Sequence, residues 1–186
     1  MAAGPHFPVL ERLLPVGIIA QYAAVAADTF SSELGILSRT TPFLITAPWK
    51  SVPKGTNGGV TIDGLMYGAL GSFLLTLTAI LALYLAPPGM TVTATAAALL
   101  TAMGLMGSVI DSVLGAVAQA TVTDKASGRV VEGPGGQRVE VVKGGDRVQQ
   151  GYDLLTNNGV NFAMAALTSM LAMGLAWIAD VSLDGR

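Results

Sequence analysis

Four stretches of this chain are long and apolar enough to cross a lipid bilayer, and they leave few folds open to it. At about 20 residues per crossing, the spans fall at about residues 13–30, 64–86, 93–120 and 160–179. Lipid offers no partner to a backbone N–H or C=O, so a spanning segment of this length satisfies its own backbone as an α-helix. The expected fold is therefore all-α: a polytopic transmembrane bundle of about four spans, forming a single integral membrane domain over residues 1–186. Composition agrees. Charged residues make up 12% of the chain, about half the roughly 25% of a soluble domain, and the mean hydropathy is +0.60. With no cysteine, disulfides and thiolate metal sites are excluded. A net charge of −2 provides no basic face for a nucleic acid. The first span could also be read as a signal peptide ending at Ala24-Val25-Ala26, but Glu11 and the long proline-containing lead argue against it.

The connections are unequal. Pro87-Pro88-Gly89 reads as a tight turn between spans two and three. The other two connections, 31–63 and 121–158, are long and polar. With four crossings they lie on one side, where they carry three and five basic residues, eight of the ten in the chain. The positive-inside rule then places both loops on the cytosolic side and both termini opposite. Trp49 and Tyr67 near one boundary, with Tyr84 and Trp177 near the other, are placed as interfacial aromatics.

Unusual polar residues gather at the end of the spans that the long loops share. Asp28 and Glu33 close span one, Asp111 and Gln119 approach that side along span three, and Asn157, Asn158 and Asn161 open span four. An ionisable group near hydrocarbon is costly, so it is a functional candidate by default. Gly107, Asp111, Gly115 and Gln119 recur every fourth residue and share one helix face. Helix packing explains those glycines, but not the acid. Asp28 and Glu33 are five apart, so they converge only if the helix breaks or bends between them. Ahead of span two, Lys54-Gly55-Thr56-Asn57-Gly58-Gly59 could turn backbone amides inward as an anion nest, or could be a flexible turn. It lacks the spacing of a Walker A loop. Oxygen-only ligands beside a phosphate-bearing substrate suit Mg²⁺. The alternation in 128–142, interrupted by Gly133-Pro134-Gly135-Gly136, reads as a β-hairpin insert on the basic side. No zinc constellation or nucleophile–base triad is visible, and His6 is set aside as incidental.

Several blocks together resemble the integral membrane family of transmembrane protein 19 and plant phytyl-phosphate kinase. They are Ala27-Asp28-Thr29-Phe30-Ser31-Ser32-Glu33-Leu34-Gly35, then Leu44-Ile45-Thr46, then Val52-Pro53-Lys54-Gly55-Thr56-Asn57-Gly58-Gly59-Val60-Thr61. Gly107-Ser108-Val109-Ile110-Asp111-Ser112-Val113-Leu114-Gly115 with Gln119, and Asn157-Asn158-Gly159-Val160-Asn161, continue the family's order. The resemblance implies a CTP-type nucleoside triphosphate donating a phosphoryl group to an isoprenoid monophosphate. Asp28, Glu33 and Asp111 would be the catalytic acids that hold Mg²⁺. Lys54, Gly55, Thr56, Asn57, Gly58 and Gly59 would bind donor phosphates, and Gln119, Asn157 and Asn161 would orient phosphate oxygens. The prenyl tail would lie between helices in the bilayer. Two positions depart from the pattern: Phe30 stands where the family has Trp, and Thr156 where an Asp, and with it a metal ligand, is common. The family also carries spans upstream of those seen here. Two other expectations stand beside the kinase: a transporter or lipid carrier whose acids serve ions or protons, and a non-catalytic membrane component whose acids brace helix packing.

Overall fold

The computed structural model of the chain describes residues 8–86 and 91–183. Four long helices dominate it: α1 Pro8–Gly35, α2 Ile62–Leu85, α3 Ala94–Ala118 and α4 Asn157–Ile178. Each is long and apolar enough to cross a membrane. Threonine starts three of them. The Thr61, Thr93 and Thr156 side chains accept hydrogen bonds from the amides of Gly64, Ala96 and Gly159, donors that a helix cannot satisfy internally. The first helix begins five residues before the expected span and continues unbroken five residues past it. Pro8 at its first position costs no hydrogen bond, which suits a helix start. The Pro87-Pro88-Gly89 turn and His6 lie outside the described residues.

The bundle is polarised by residue size more than by polarity. Large side chains such as Phe73, Leu77, Leu81 and Phe162 face outward, while Ala20, Ala23, Ala24 and Ala27 of α1 are fully buried. In lipid an apolar exterior costs nothing, and association rests on close backbone packing. The α2 face shows how close: a Cβ on Gly68 would stand 3.2 Å from the Ala27 carbonyl oxygen, and one on Gly71 only 2.7 Å from that of Ala26. Helices α1 and α3 form the inner pair, each packed on every other helix, with α2 and α4 flanking them. The apolar core of Leu13, Val16, Leu100, Ala172, Val181 and their neighbours occupies one end. Arg12 and Asp180 close that end at 2.8 Å.

Two small sheets cover the other end. In the first long connection, β1 Phe43–Leu44 lies between β2 Ala47–Ser51 and β3 Gly59–Val60, all antiparallel. This sheet brings residues 54–59 back over the helix ends. The second connection does carry an antiparallel pair, but not from the segments that alternate. Its strands are β4 Thr121–Asp124 and β5 Arg147–Gln150. Of the expected hairpin, Val130 bridges Thr123 and the Val131 amide donates to the Val122 carbonyl, on the other edge of β4. Residues 138–141 take no strand partner, and Pro134–Gly136 form a short 3₁₀ turn. Alternation marks an extended segment without naming its partner, and the free edge of β4 takes Val130–Val131 in place of 138–141. The turn after β4 is tied by Asp124, whose carboxylate accepts from the Ser127 amide and hydroxyl, both at 2.7 Å. Those bonds hold its pKa below the usual value.

Candidate functional site

Helix geometry delivers the acids to the sheet-covered end. On α1, Asp28 follows Ala20 and Ala24 at four-residue spacing and so continues the buried stripe. On α3, Asp111 follows Met103 and Gly107 in the same way. Because α1 and α3 are the inner pair, the two carboxylates come together at one cavity between those helices. The Ser108 hydroxyl donates to Asp28 Oδ1 across a long 3.4 Å. Asp111 Oδ1 is buried with no hydrogen-bond partner among the described residues.

These groups open into a cavity of about 480 Å³. Every side chain and glycine expected at the site borders it. Asp28 and Glu33 come from α1, and Asp111 and Gln119 from the end of α3. Lys54 to Gly59 form the wall before α2, and Asn157 and Asn161 come from the first turns of α4. Thr61, Ser31, Ser112 and Glu132 also line it and were not anticipated. Ser31 and Ser112 were within reach of sequence reasoning, Ser31 lying one turn from Asp28 and Ser112 next to Asp111, but nothing in the sequence ties Glu132 to the bundle.

Convergence is not equivalence. The α1 helix runs unbroken through both positions, so five residues at about 100° each leave Glu33 roughly 140° around the helix from Asp28. Glu33 sits exposed at the rim. Among the described residues no three acids or histidines come together to hold a metal. The pair Asp28–Asp111 remains. A buried acceptor without a donor costs about 1–3 kcal/mol, and paired carboxylates are costly unless neutralised. The orphaned Asp111 oxygen beside Asp28 therefore fits Mg²⁺, which takes one or two carboxylates and leaves the rest of its shell to water and phosphate oxygens.

The 54–59 loop also departs from an open nest. Lys54 Nζ donates to the carbonyls of Ile36 at 3.1 Å and Ser38 at 2.5 Å, just past the end of α1. That placement suits a cation at a helix C-terminus, but commits Lys54 to the protein. The Thr56 and Gly59 amides bond within the loop, and the Asn57 amide donates to Thr121 Oγ1 at 3.1 Å. Asn57 Nδ2 donates to the Ala120 carbonyl at 2.9 Å. Gly58, at φ +74°, packs against α3, where a Cβ would collide with Ala116 and stand 2.7 Å from the Ser112 carbonyl oxygen. The loop is a fitted wall. Thr156, where a ligand Asp was expected, is the N-cap of α4 and borders a smaller pocket of about 190 Å³ beside the cavity.

The model of the integral membrane protein family DUF92 matches residues 2–169. The chain belongs to DUF92. Relatives include Protein PGR of Arabidopsis thaliana, 42% identical over 159 residues, which are 83% of this chain and 52% of that protein. Protein VTE6, chloroplastic, also of Arabidopsis thaliana, is 35% identical over 65 residues, 35% of this chain and 19% of that protein. An uncharacterized membrane protein of Methanocaldococcus jannaschii is 53% identical over 60 residues, 32% of this chain and 25% of that protein. The chain thus spans about half the length of PGR and less of the other two. No solved structure matches it. Membership in DUF92 agrees with the multi-pass helical bundle and with the resemblance drawn from the motif blocks.

Proposed function

We propose that this DUF92 chain carries a phosphoryl-transfer site that converts an isoprenoid monophosphate to its diphosphate at the expense of a nucleoside triphosphate. The observation that carries the reading is the meeting of Asp28, Asp111 and the 54–59 wall around one cavity at the sheet-covered end of the bundle. Such a reaction needs positioning and charge neutralisation more than a covalent nucleophile, and no nucleophile–base pair is required of the residues present. A non-bridging oxygen of the lipid monophosphate attacks the γ-phosphorus. The bond from that phosphorus to the β–γ bridging oxygen breaks, and the nucleoside diphosphate leaves.

Asp28 and Asp111 would hold Mg²⁺, which supplies charge neutralisation on the phosphate oxygens when bound. The first turns of α4 contribute the amide side chains of Asn157 and Asn161, and its first turn holds no acidic residue. A helix start of this kind favours an anion. Lys54 is a positioning residue: it ties the end of α1 to the glycine wall. The depth of Asp111 along a membrane helix explains why the acceptor would be a lipid, whose chain stays in the bilayer while its phosphate reaches the acids. The eight basic residues of the two long connections support a cytosolic orientation for this end.

The test is transfer of ³²P from γ-labelled nucleotide to phytyl monophosphate by the protein in nanodiscs. Asp111→Asn keeps the shape of the side chain and loses its charge. It is expected to lower turnover by about 10²–10³ or more with a melting temperature that does not fall, since the change removes one of two buried charges. Arg12→Ala, at the far end, is expected to leave turnover unchanged. Full activity in Asp111→Asn would remove the acid from the chemistry.

A further inference from the structure

The smaller pocket is a separate chamber built almost wholly from the second long connection, and it opens beside the cavity. Gly55, Asn57, Gln119, Glu132 and Asn157 border both spaces, so the two share a wall. Val122 of β4 is buried at its floor, with Val130 packed 3.4 Å from where a Cβ on Gly55 would stand. Val139 closes in from the unpaired arm. That arm is held down by Arg138, whose Nε lies 3.0 Å from the Asp153 carboxylate and whose Nη2 donates to the Asp153 carbonyl at 3.1 Å. Gln137 and Gln149 bring amides to the same space.

The chemistry of the two spaces differs. In the cavity, acids come together and call for a cation with phosphates. In the pocket, the one arginine is neutralised by its partner, Glu132 stands on the wall shared with the cavity, and what remains is valine surface with side-chain amides and threonine hydroxyls. Such walls retain no triphosphate, but they suit a flat heterocycle: apolar side chains cover its faces, and amides that both donate and accept pair with its edges. About 190 Å³ admits a ring system.

We propose that this pocket holds the nucleoside of the phosphoryl donor, whose phosphates cross the shared wall into the cavity. The inference rests on the phosphoryl-transfer reading and adds to it a donor-specificity site outside the membrane. Gln137 and Gln149 are the residues that read the base, and the Arg138–Asp153 clasp keeps the arm over it.

Gln149 is an exposed strand position, where tryptophan is well tolerated and would fill the pocket. Binding of labelled CTP and ATP, each with Mg²⁺, is measured on the full chain in nanodiscs, with tripolyphosphate as competitor. Gln149→Trp is expected to weaken nucleotide binding at least tenfold while leaving tripolyphosphate competition unchanged. Gln137→Ala, which cannot obstruct folding, is expected to weaken the preferred nucleotide severalfold and to narrow the preference between the two. Nucleotide binding that both variants leave intact would overturn the pocket assignment while sparing the kinase reading. Absence of nucleotide binding in the unaltered protein would overturn both.

Discussion

The seating of the glycine wall on α3 can be tested without any ligand, by Gly58→Ala. Gly58 has φ +74°, where an L-residue pays about 1–2 kcal/mol. Its new Cβ would also meet Ala116 and stand 2.7 Å from the Ser112 carbonyl oxygen. Those are helix backbone and a Cβ fixed to it, so neither can swing aside, and forced overpacking costs about 1–3 kcal/mol. The sum is about 2–5 kcal/mol. At roughly 2–4 °C per kcal/mol for a chain of this size, the melting temperature should fall by roughly 4–20 °C. Gly128→Ala is the control, because Gly128 has φ +67° but nothing within 4 Å of an added Cβ. It pays only the backbone cost of about 1–2 kcal/mol, a fall of roughly 2–8 °C. The assay is thermal unfolding in one detergent, followed by tryptophan fluorescence. Equal falls in the two variants would mean that the loop is not seated on α3, and the cavity wall described here would be wrong.

Two further outcomes follow from local geometry. Thr156→Ala removes the N-cap of α4 and should cost about 1 kcal/mol, while Thr156→Asp should restore stability without raising activity, because Thr156 borders the smaller pocket and not the cavity; melting curves and turnover together check this. Asp124 is held below its ordinary pKa of 3.8 by hydrogen bonds from Ser127, so its contribution is complete above that value and is lost as pH falls through the lower folded one; pepsin cleavage of the 125–129 turn should accelerate only in that acidic window, and Asp124→Asn should remove the pH step.

Much of this arrangement is written in spacing. The spacing of four that puts Gly107, Asp111 and Gly115 on one face holds, because α3 runs unbroken over those residues, and Gln119 follows as its C-cap. The same regularity separates Glu33 from Asp28: a break or bend was the condition for their meeting, and α1 continues unbroken through both. The α2 stripe of Gly64, Gly68 and Gly71 was legible as small-residue spacing, yet a span without charged residues offers hydropathy as its strongest signal. Its role emerges only where the carbonyl oxygens of α1 come within contact of it. The commitments of Lys54 and Asn57 were not legible, because their partners are carbonyls distant in sequence, near Ile36 and Ala120. The pairing of Val130–Val131 with β4 was equally hidden, since a strand edge accepts any extended neighbour that tertiary structure brings alongside. The threonine at 156 reads as a lost ligand in the sequence and as a helix cap in the fold.

The central claim is met most directly by product analysis. The protein in nanodiscs is incubated with Mg²⁺, CTP or ATP, and phytyl or geranylgeranyl monophosphate, and the lipids are analysed by mass spectrometry. The expected product is an isoprenoid diphosphate that depends on one of the two nucleotides and disappears in Asp111→Asn. Folded protein that yields no diphosphate with either donor, while moving ions or lipid across sealed vesicles without nucleotide, would contradict the claim.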